Sequence, residues 1–288
     1  MKIIVTIPSF NEENSIGIVI NEVNKTFSKT NYNYEIQVLN DGSTDKTEEI
    51  ARSLGATVYS HPRNYGLAES FRDEIEYALQ NGADIIVHID ADGQYQTDEI
   101  ISLIEPIINN EADFVMGSRF QGMIEEMPLI KQLGNKAFSR VVSQICRMHI
   151  SDAQTGFRAF TREVAEKVKV KSNFTYTQEQ IIKCVKNKFR IIEVPIFFAK
   201  RISGKSRLMT NPVDYAIKAG VNMFRIYRDF APLKFFGFIG FSLIAIALSL
   251  FIFSAFILGK FYDVTVILLS VSGLQIILFG FLAEMNQE

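Results

Sequence analysis

The sequence predicts an α/β protein, a mainly parallel sheet with flanking helices, followed by a C-terminal two-helix transmembrane hairpin. Three observations carry this. Short apolar runs alternate with helical patterns through residues 2–116. Two long runs near the C-terminus carry almost no charge. The acidic triplet Asp90-Ala91-Asp92 closes one of the short runs, where an open sheet places its ligands.

Residues 2–7 form a β-rich run ended by Pro8. Asn11 or Asn14 is placed to cap a helix with Ile16, Val19, Ile20 and Val23 on one face. Residues 34–39 are a second strand. The turn Asn40-Asp41-Gly42-Ser43-Thr44-Asp45 follows, and Ser43 or Asp45 opens a helix over 46–54. Residues 56–60 are a third strand, and 66–80 a helix with Leu67, Phe71, Ile75 and Leu79 at helix spacing. Residues 85–89 are a fourth strand, Thr97 and Asp98 open a helix through 108, and 113–116 are a fifth strand. This βαβαβ rhythm predicts helices on both faces of a parallel sheet. A Gly-x-Gly-x-x-Gly after the first strand and a Gly-x-x-x-x-Gly-Lys-Ser/Thr loop are both absent, so a nucleotide would be held by other loops.

Residues 235–258 contain no charge, and a bilayer core needs about 20 such residues. A short loop, 259–263, leads to a second uncharged run, 264–283, with one amide, Gln275, in its middle. The alternative is a pair of buried core helices, which rarely run this long without a charge. Lys218, Arg225, Arg228 and Lys234 precede the hairpin, and the loop carries one lysine. The positive-inside rule then puts a domain of residues 1–232 and both termini in the cytoplasm, with 233–288 as the membrane hairpin. A lone amide in lipid seeks a partner, so Gln275 predicts a helix–helix or subunit contact, and with the latter a homo-oligomer.

Two further segments mix apolar and basic residues. Residues 127–148 hold Leu129, Leu133, Phe138, Val142 and Ile145 among Lys131, Lys136, Arg140 and Arg147. Residues 212–229 hold Val213, Ile217, Val221, Phe224 and Tyr227 with Lys218, Arg225 and Arg228. Each reads either as an interfacial amphipathic helix or as an ordinary helix packed on the sheet.

Composition removes several classes. A net charge of −2 argues against a nucleic-acid partner. Cys146 and Cys184 lack metal-ligand spacing and are expected reduced on helices. His61, His88 and His149 are scattered, so neither a zinc site nor a Ser-His-Asp triad is expected. The first run is too short and wrongly flanked for a signal peptide.

Side chains alternate along a strand, so Asp90 and Asp92 would point the same way and Ala91 the other. Like charges aimed at one spot repel unless a cation lies between them. The residues alone therefore suit either a hard divalent metal over a phosphate or a solvated acidic turn.

Ile7-Pro8-Ser9-Phe10-Asn11-Glu12-Glu13, Leu39-Asn40-Asp41-Gly42-Ser43-Thr44-Asp45 and Asp90-Ala91-Asp92-Gly93-Gln94 together resemble the family 2 inverting glycosyltransferases of GT-A fold. Gly117-Ser118-Arg119, Asp152-Ala153-Gln154-Thr155-Gly156-Phe157-Arg158, the stretch from Lys200 to Leu208 and Tyr227-Arg228-Asp229-Phe230-Ala231-Pro232-Leu233-Lys234 look like one branch of it. That branch contains dolichol-phosphate mannose synthases and bacterial polyprenyl-phosphate glycosyltransferases.

The resemblance implies a nucleotide sugar, GDP-mannose or a UDP-hexose, and a dolichyl or undecaprenyl phosphate acceptor. Pro8, Phe10, Glu12, Leu39 and Asp41 fall where the family holds base and ribose. Asp90, Ala91, Asp92 and Gln94 fall at the diphosphate, with Asp90, Asp92 and Gln94 as ligands of Mg²⁺ or Mn²⁺. Arg119, Lys131 and Asn135 fall at the lipid phosphate, and Arg201, Lys205 and Arg207 on a basic loop over the phosphates. Asp90, Asp92, Arg119 and Arg201 are the implied catalytic set. The chain departs from the family at Phe10, often tyrosine, at Asn40, often aspartate, at Lys131, often arginine, and at Asn135, often serine.

An acceptor phosphate monoester has a second pKa of about 6 and is already an anion at neutral pH, so the reaction requires no general base. Asp152 then reads as a helix cap for the segment holding Gln154 and Thr155, in preference to the catalytic base that an acid near this region supplies in other branches of the family, and Glu179 either faces the acceptor or is a first-turn acid. A processive polysaccharide synthase is disfavoured because its Gln-x-x-Arg-Trp motif needs a tryptophan and the chain has none. A non-catalytic scaffold on a decayed transferase domain would be supported by loss of Asp90 or Asp92, and both are present.

Overall fold

The computed structural model describes residues 1–173, 176–201, 212–258 and 263–285. It divides into two compact units, Met1–Ile217 and Lys218–Glu288.

In the first unit β1 (Lys2–Ser9), β2 (Asn33–Asn40), β3 (Thr57–Ser60), β4 (Ile85–His88), β5 (Phe114–Ile124), β6 (Arg158–Thr161) and β7 (Ile191–Phe198) form one sheet. Their order is β3-β2-β1-β4-β6-β5-β7. β3, β2, β1 and β4 are parallel, and β6 enters antiparallel between β4 and β5, with β7 parallel to β5. All strands but β6 therefore end on the same edge.

β1 is buried from Ile3 to Ser9 without a break, as a central parallel strand must be when both faces are covered. Ile3, Val5 and Ile7 join one core with α1 (Ile16–Phe27) and α4 (Ile100–Ile108), through Ile16, Val19, Ile20, Val23, Leu103 and Ile104. Each such fully buried side chain contributes roughly 1.5–3 kcal/mol. The opposite face carries α3 (Leu67–Gln80), packed on β1 and β2. α2 (Thr47–Ser53), α5 (Leu129–Cys146), α6 (Arg162–Lys167) and α7 (Tyr176–Lys186) complete the unit. Cys146 and Cys184 are free thiols on α5 and α7.

Local signals are partly reassigned. Neither Asn11 nor Asn14 caps α1, whose N-cap position is Ser15 without a side-chain cap bond. Asn11 instead adopts a left-handed φ of 53° and accepts from Thr44 N at 2.8 Å. Asp45 Oδ1 accepts from Thr47 N at 3.0 Å where α2 begins. β5 runs to Ile124, well beyond its expected end, and β6, β7, α6 and α7 join the expected elements.

α8 (Pro212–Phe230) leads to α9 (Pro232–Phe253), a π-helical turn (Ser254–Leu258) and α10 (Asp263–Met285). The first unit ends at Ile217, inside the helix that the sequence groups with residues 1–232. Within the second unit α9 and α10 pack as a hairpin. They meet at Gly240 and Gly273, where a Cβ on either would lie 2.5 or 2.7 Å from the other's carbonyl oxygen. Small residues that let backbones approach are how helices associate in lipid. Both helices are long and apolar enough to cross a membrane, with mean hydropathy 2.5 and 2.4.

Candidate active site

The loops after β1, β2, β3, β4 and β7 gather on the edge where those strands end. Asn11 ties the first two together, since Asn11 N donates to Ser43 Oγ at 2.9 Å and Glu12 N donates to Thr47 Oγ1 at 2.8 Å.

The acidic motif lies just past its strand. β4 ends at His88, so Asp90 follows it and Ala91-Asp92 form a turn. Strand alternation therefore does not orient the two carboxylates, contrary to the expectation from their spacing. The turn, not the pleat, brings them together. A third of the Asp90 side chain is exposed and about a tenth of that of Asp92. Gly156 flanks Asp90 so closely that a Cβ there would lie 2.9 Å from a carboxylate oxygen. Burial, then the Asp90 charge, pushes the Asp92 carboxyl up to about 6. Burial also acts on Asp90, but His88, Arg119 and Arg201 outweigh it and hold that carboxyl below its usual range.

Arg201 arrives from the end of β7. Gln94 Nε2 donates to Ala199 O at 3.1 Å, and Ala199 N donates to Gln94 O at 2.8 Å. This zip delivers Arg201, whose Nη2 donates to Asp92 Oδ2 at 2.6 Å and whose Nη1 lies 4.0 Å from Glu12 Oε1. Lys205 and Arg207 lie outside the described residues.

Arg119 on β5 is 4 % exposed and grips Asp152 bidentately, Nε to Oδ2 at 2.6 Å and Nη2 to Oδ1 at 2.8 Å. Asp152 is therefore a clamp on Arg119, with a turn bond from Gln154 N at 3.3 Å, and caps no helix. With its amide turned so that oxygen meets donors, Asn135 accepts from Arg119 Nη2 at 3.3 Å. Lys131, one turn earlier on α5, has its ammonium disfavoured by burial and by Arg119. Its field also includes Asp92, Arg201 and Asp90, so these five charged groups share one neighbourhood.

The candidate base residues divide. Pro8 is buried within β1 and Phe10 half-buried at its exit. Leu39 is wholly buried, so its side chain can only support the crevice floor. Asp41 is 4 % exposed and accepts from Tyr65 N at 2.8 Å, Gly66 N at 2.9 Å and His61 Nδ1 at 2.8 Å. A carboxylate offers about four acceptor positions, so one remains. Glu179 sits in the first turn of α7 and accepts from Lys171 N and Ser172 N at 2.9 and 2.6 Å, which makes it a loop anchor.

Sequence reasoning missed the β3–α3 loop. His61 bridges Asp41 and Asp73 at 2.8 Å each, and Tyr65 stands 46 % exposed beside Arg63. An open cavity of about 380 Å³ is lined by Arg63, Tyr65 and Glu69. The signal was Gly42, at φ +70°, where a Cβ would meet the Arg63 backbone at 2.4 Å. It also missed Glu74 and His88, a fully buried pair bonded through Nδ1 directly beneath Asp90. Burial alone would depress His88, but Glu74 and Asp90 push it up to about 9.

Asp90, Asp92 and the Gln94 side chain offer hard oxygen donors, which suit Mg²⁺ or Mn²⁺. Among the described residues no group of three or more His, Cys, Asp or Glu forms an all-protein cage. Two carboxylates without a cage fit a cation shared with substrate phosphates.

The chain is similar to several known proteins. Residues 4–169 match the family described as Glycosyl transferase family 2. The chain is 33 % identical to a UDP-N-acetylglucosamine–dolichyl-phosphate N-acetylglucosaminyltransferase of Methanococcus voltae, over 79 % of this chain and 94 % of that protein. It is 32 % identical to a dolichyl-phosphate hexose transferase of Haloferax volcanii, over 71 % of this chain and 85 % of the relative. Its fold resembles glucosyl-3-phosphoglycerate synthase from Mycobacterium tuberculosis, solved with Mn²⁺, UDP and glucosyl-3-phosphoglycerate. There the TM-score is 0.60 at 19 % identity, covering 77 % of this chain and 79 % of the other.

Proposed function

The chain belongs to glycosyl transferase family 2, and we propose that it transfers a hexose from GDP-mannose or a UDP-hexose to a polyprenyl phosphate at a membrane. One observation carries this reading: Asp90 and Asp92 share one charged neighbourhood with Arg201, Lys131 and Arg119, and Arg201 is paired to Asp92. The two apolar helices and the dolichyl-phosphate relatives support the lipid acceptor.

The charges divide the work. Asp90, Asp92 and Gln94 would hold Mg²⁺ or Mn²⁺, which when bound supplies Lewis-acid neutralisation of a leaving nucleoside diphosphate. Arg201 brings a guanidinium to the same place, with Lys205 and Arg207 next in the chain. Pro8, Phe10 and Glu12 line the ribose and base, and Asp41 reads the base through its remaining acceptor position. Tyr65 adds an exposed ring beside it. Arg119, fixed by Asp152 and Asn135, joins Lys131 in holding the acceptor phosphate. That phosphate is anionic at neutral pH, so positioning suffices and no residue need take a proton. Attack opposite the leaving group inverts the anomeric centre.

The membrane arrangement follows from charge. The basic residues before α9 support a cytoplasmic position for residues 1–232 and both termini. α5 buries Phe138 and Val142 in the domain but leaves Leu129, Ile130 and Leu133 exposed beside Lys131, suited to the headgroup layer. Gln275 is exposed on α10, and a second copy of the chain would give its amide a partner.

The test is transfer itself. Membranes holding the full chain are incubated with labelled GDP-mannose or UDP-hexoses and dolichyl or undecaprenyl phosphate. Label is expected in the organic extract, lost in Asp92→Asn. Label confined to water-soluble products would overturn the lipid acceptor.

A further inference from the structure

Beneath the acidic turn lies a pair that the transfer chemistry leaves unused. Glu74 on α3 and His88 on β4 have no exposed surface. Glu74 Oε1 bonds His88 Nδ1, which fixes the ring about that bond. Phe71 and Tyr176 meet the ring edge-on, at centroid distances of 5.2 and 6.4 Å. With Nδ1 held, Nε2 is turned to the site, where Asp90 Oδ1 lies 3.8 Å away. Among the described residues Nε2 has no hydrogen-bond partner, nor has Glu74 Oε2.

A sheet interior is filled at less cost by apolar side chains than by an imidazole and a carboxylate, each with an unmatched atom. The pair stands directly behind a carboxylate already confined on another side by Gly156, where no side chain fits. His88 thus forms a second wall beside Asp90. Ligating carboxylates depend on such supporting groups for their orientation.

We propose that His88, held by Glu74, is a positioning residue that aims the Asp90 carboxylate at the cation of the nucleotide-sugar complex. This rests on the donor-site reading above. Asp90 is the more exposed of the two aspartates, so without a wall behind it the carboxylate would sample several rotamers. The role belongs to geometry: Nε2 and Oδ1 face each other across the wall of the site. Were the pair only a fold clamp, its loss would lower the melting temperature and leave cation affinity alone.

The experiment uses the full-length chain in detergent. Free Mn²⁺ is followed by EPR in the presence of GDP or UDP, and ligand-free melting is measured alongside. His88→Leu is expected to weaken Mn²⁺ binding by about tenfold or more, in the range found for supporting groups of metal ligands. His88→Gln restores a polar tip towards Asp90 and should recover part of it. Glu74→Gln keeps an acceptor for Nδ1 and should stay within about threefold of wild type. Unchanged Mn²⁺ affinity in folded His88→Leu overturns this inference alone. If His88→Leu does not fold, equal and undiminished affinity in His88→Gln and an apolar Glu74→Leu has the same force. Failure of the wild-type chain to bind Mn²⁺ with either nucleotide overturns the donor-site reading and this inference with it.

Discussion

Arg201 crosses from the end of β7 to donate to Asp92 Oδ2 at 2.6 Å, so the segment after the last strand is latched to the turn after β4. About a quarter of the arginine side chain is exposed, which limits the latch's worth to the fold. Its chemical worth is larger, because a guanidinium beside the acidic turn meets any diphosphate bound there. Arg201→Gln is expected to lower kcat about 10²-fold or more, as removal of one preorganised donor does. Ligand-free melting should move by less than a few degrees. Labelled-sugar transfer at saturating lipid measures the first and thermal unfolding the second. A loss of kcat under threefold would assign Arg201 to the loop alone.

Asp92 is the second test of the same crevice. Burial raises the cost of ionising Asp92, and repulsion from the neighbouring Asp90 carboxylate adds to it. Asp92→Asn removes that repulsion, so the ligand-free chain should melt no lower than wild type. Mn²⁺ with GDP or UDP should raise the melting temperature of wild type and leave the variant unmoved, since a ligand stabilises only what it binds. An equal shift in both proteins would remove Asp92 from the cation site.

Asn40 explains its own departure from the family. Its Nδ2 donates to Glu48 Oε2 at 3.1 Å and to Ser60 Oγ at 3.2 Å, while Oδ1 accepts from Ser43 N. An aspartate there would keep the Ser43 bond and face Glu48 with a like charge. Asn40→Asp is expected to destabilise by about 1–3 kcal/mol at pH 7.5, the cost of unmatched buried polar groups. Adding Glu48→Gln should recover part of it, and denaturant unfolding of the four proteins closes the cycle. Strict additivity would show that the two side chains do not interact.

These contacts also mark what the sequence could and could not convey. β1, β2 and β4 were readable because each apolar run stops at turn residues, and those turns carry Glu12, Asp41 and Asp92. β6 is four residues long and antiparallel among parallel neighbours, so no local pattern announces it. β7 contains Pro195, which argues against a strand except at an edge, and the edge is where β7 lies. The buried stripe of α3 is Ala68, Phe71, Ile75 and Ala78, while Leu67 is 46 % exposed. Glu74 falls within that stripe, and a charge on an apolar face was the one sign of its pairing with His88. The Arg119–Asp152 clamp joins residues 33 apart through β5 and the turn before β6, which only the folded sheet brings together.

Glu99 gives a pH test remote from the crevice chemistry. It ends the 3-10 turn before α4 and docks it on β7, Oε1 accepting from Phe197 N at 2.8 Å. Oε2 is buried and has no partner among the described residues. Burial, with a smaller push from Asp98, raises the carboxyl to about 7. The folded chain therefore keeps a proton between about pH 4.5 and 7 that the unfolded chain has released. Stability from this group is full below that window and falls as pH rises through it, and the cost is complete above 7. Glu99→Gln is neutral at every pH and keeps an oxygen for Phe197 N–H. It should raise the melting temperature at pH 8, by about 2–4 °C if the gain is near 1 kcal/mol, and match wild type at pH 4.5. The position is partly exposed and solvent screens part of the effect, so the difference between the two pH values is the decisive quantity. An equal change at both would mean that Glu99 is ionised in the folded chain throughout.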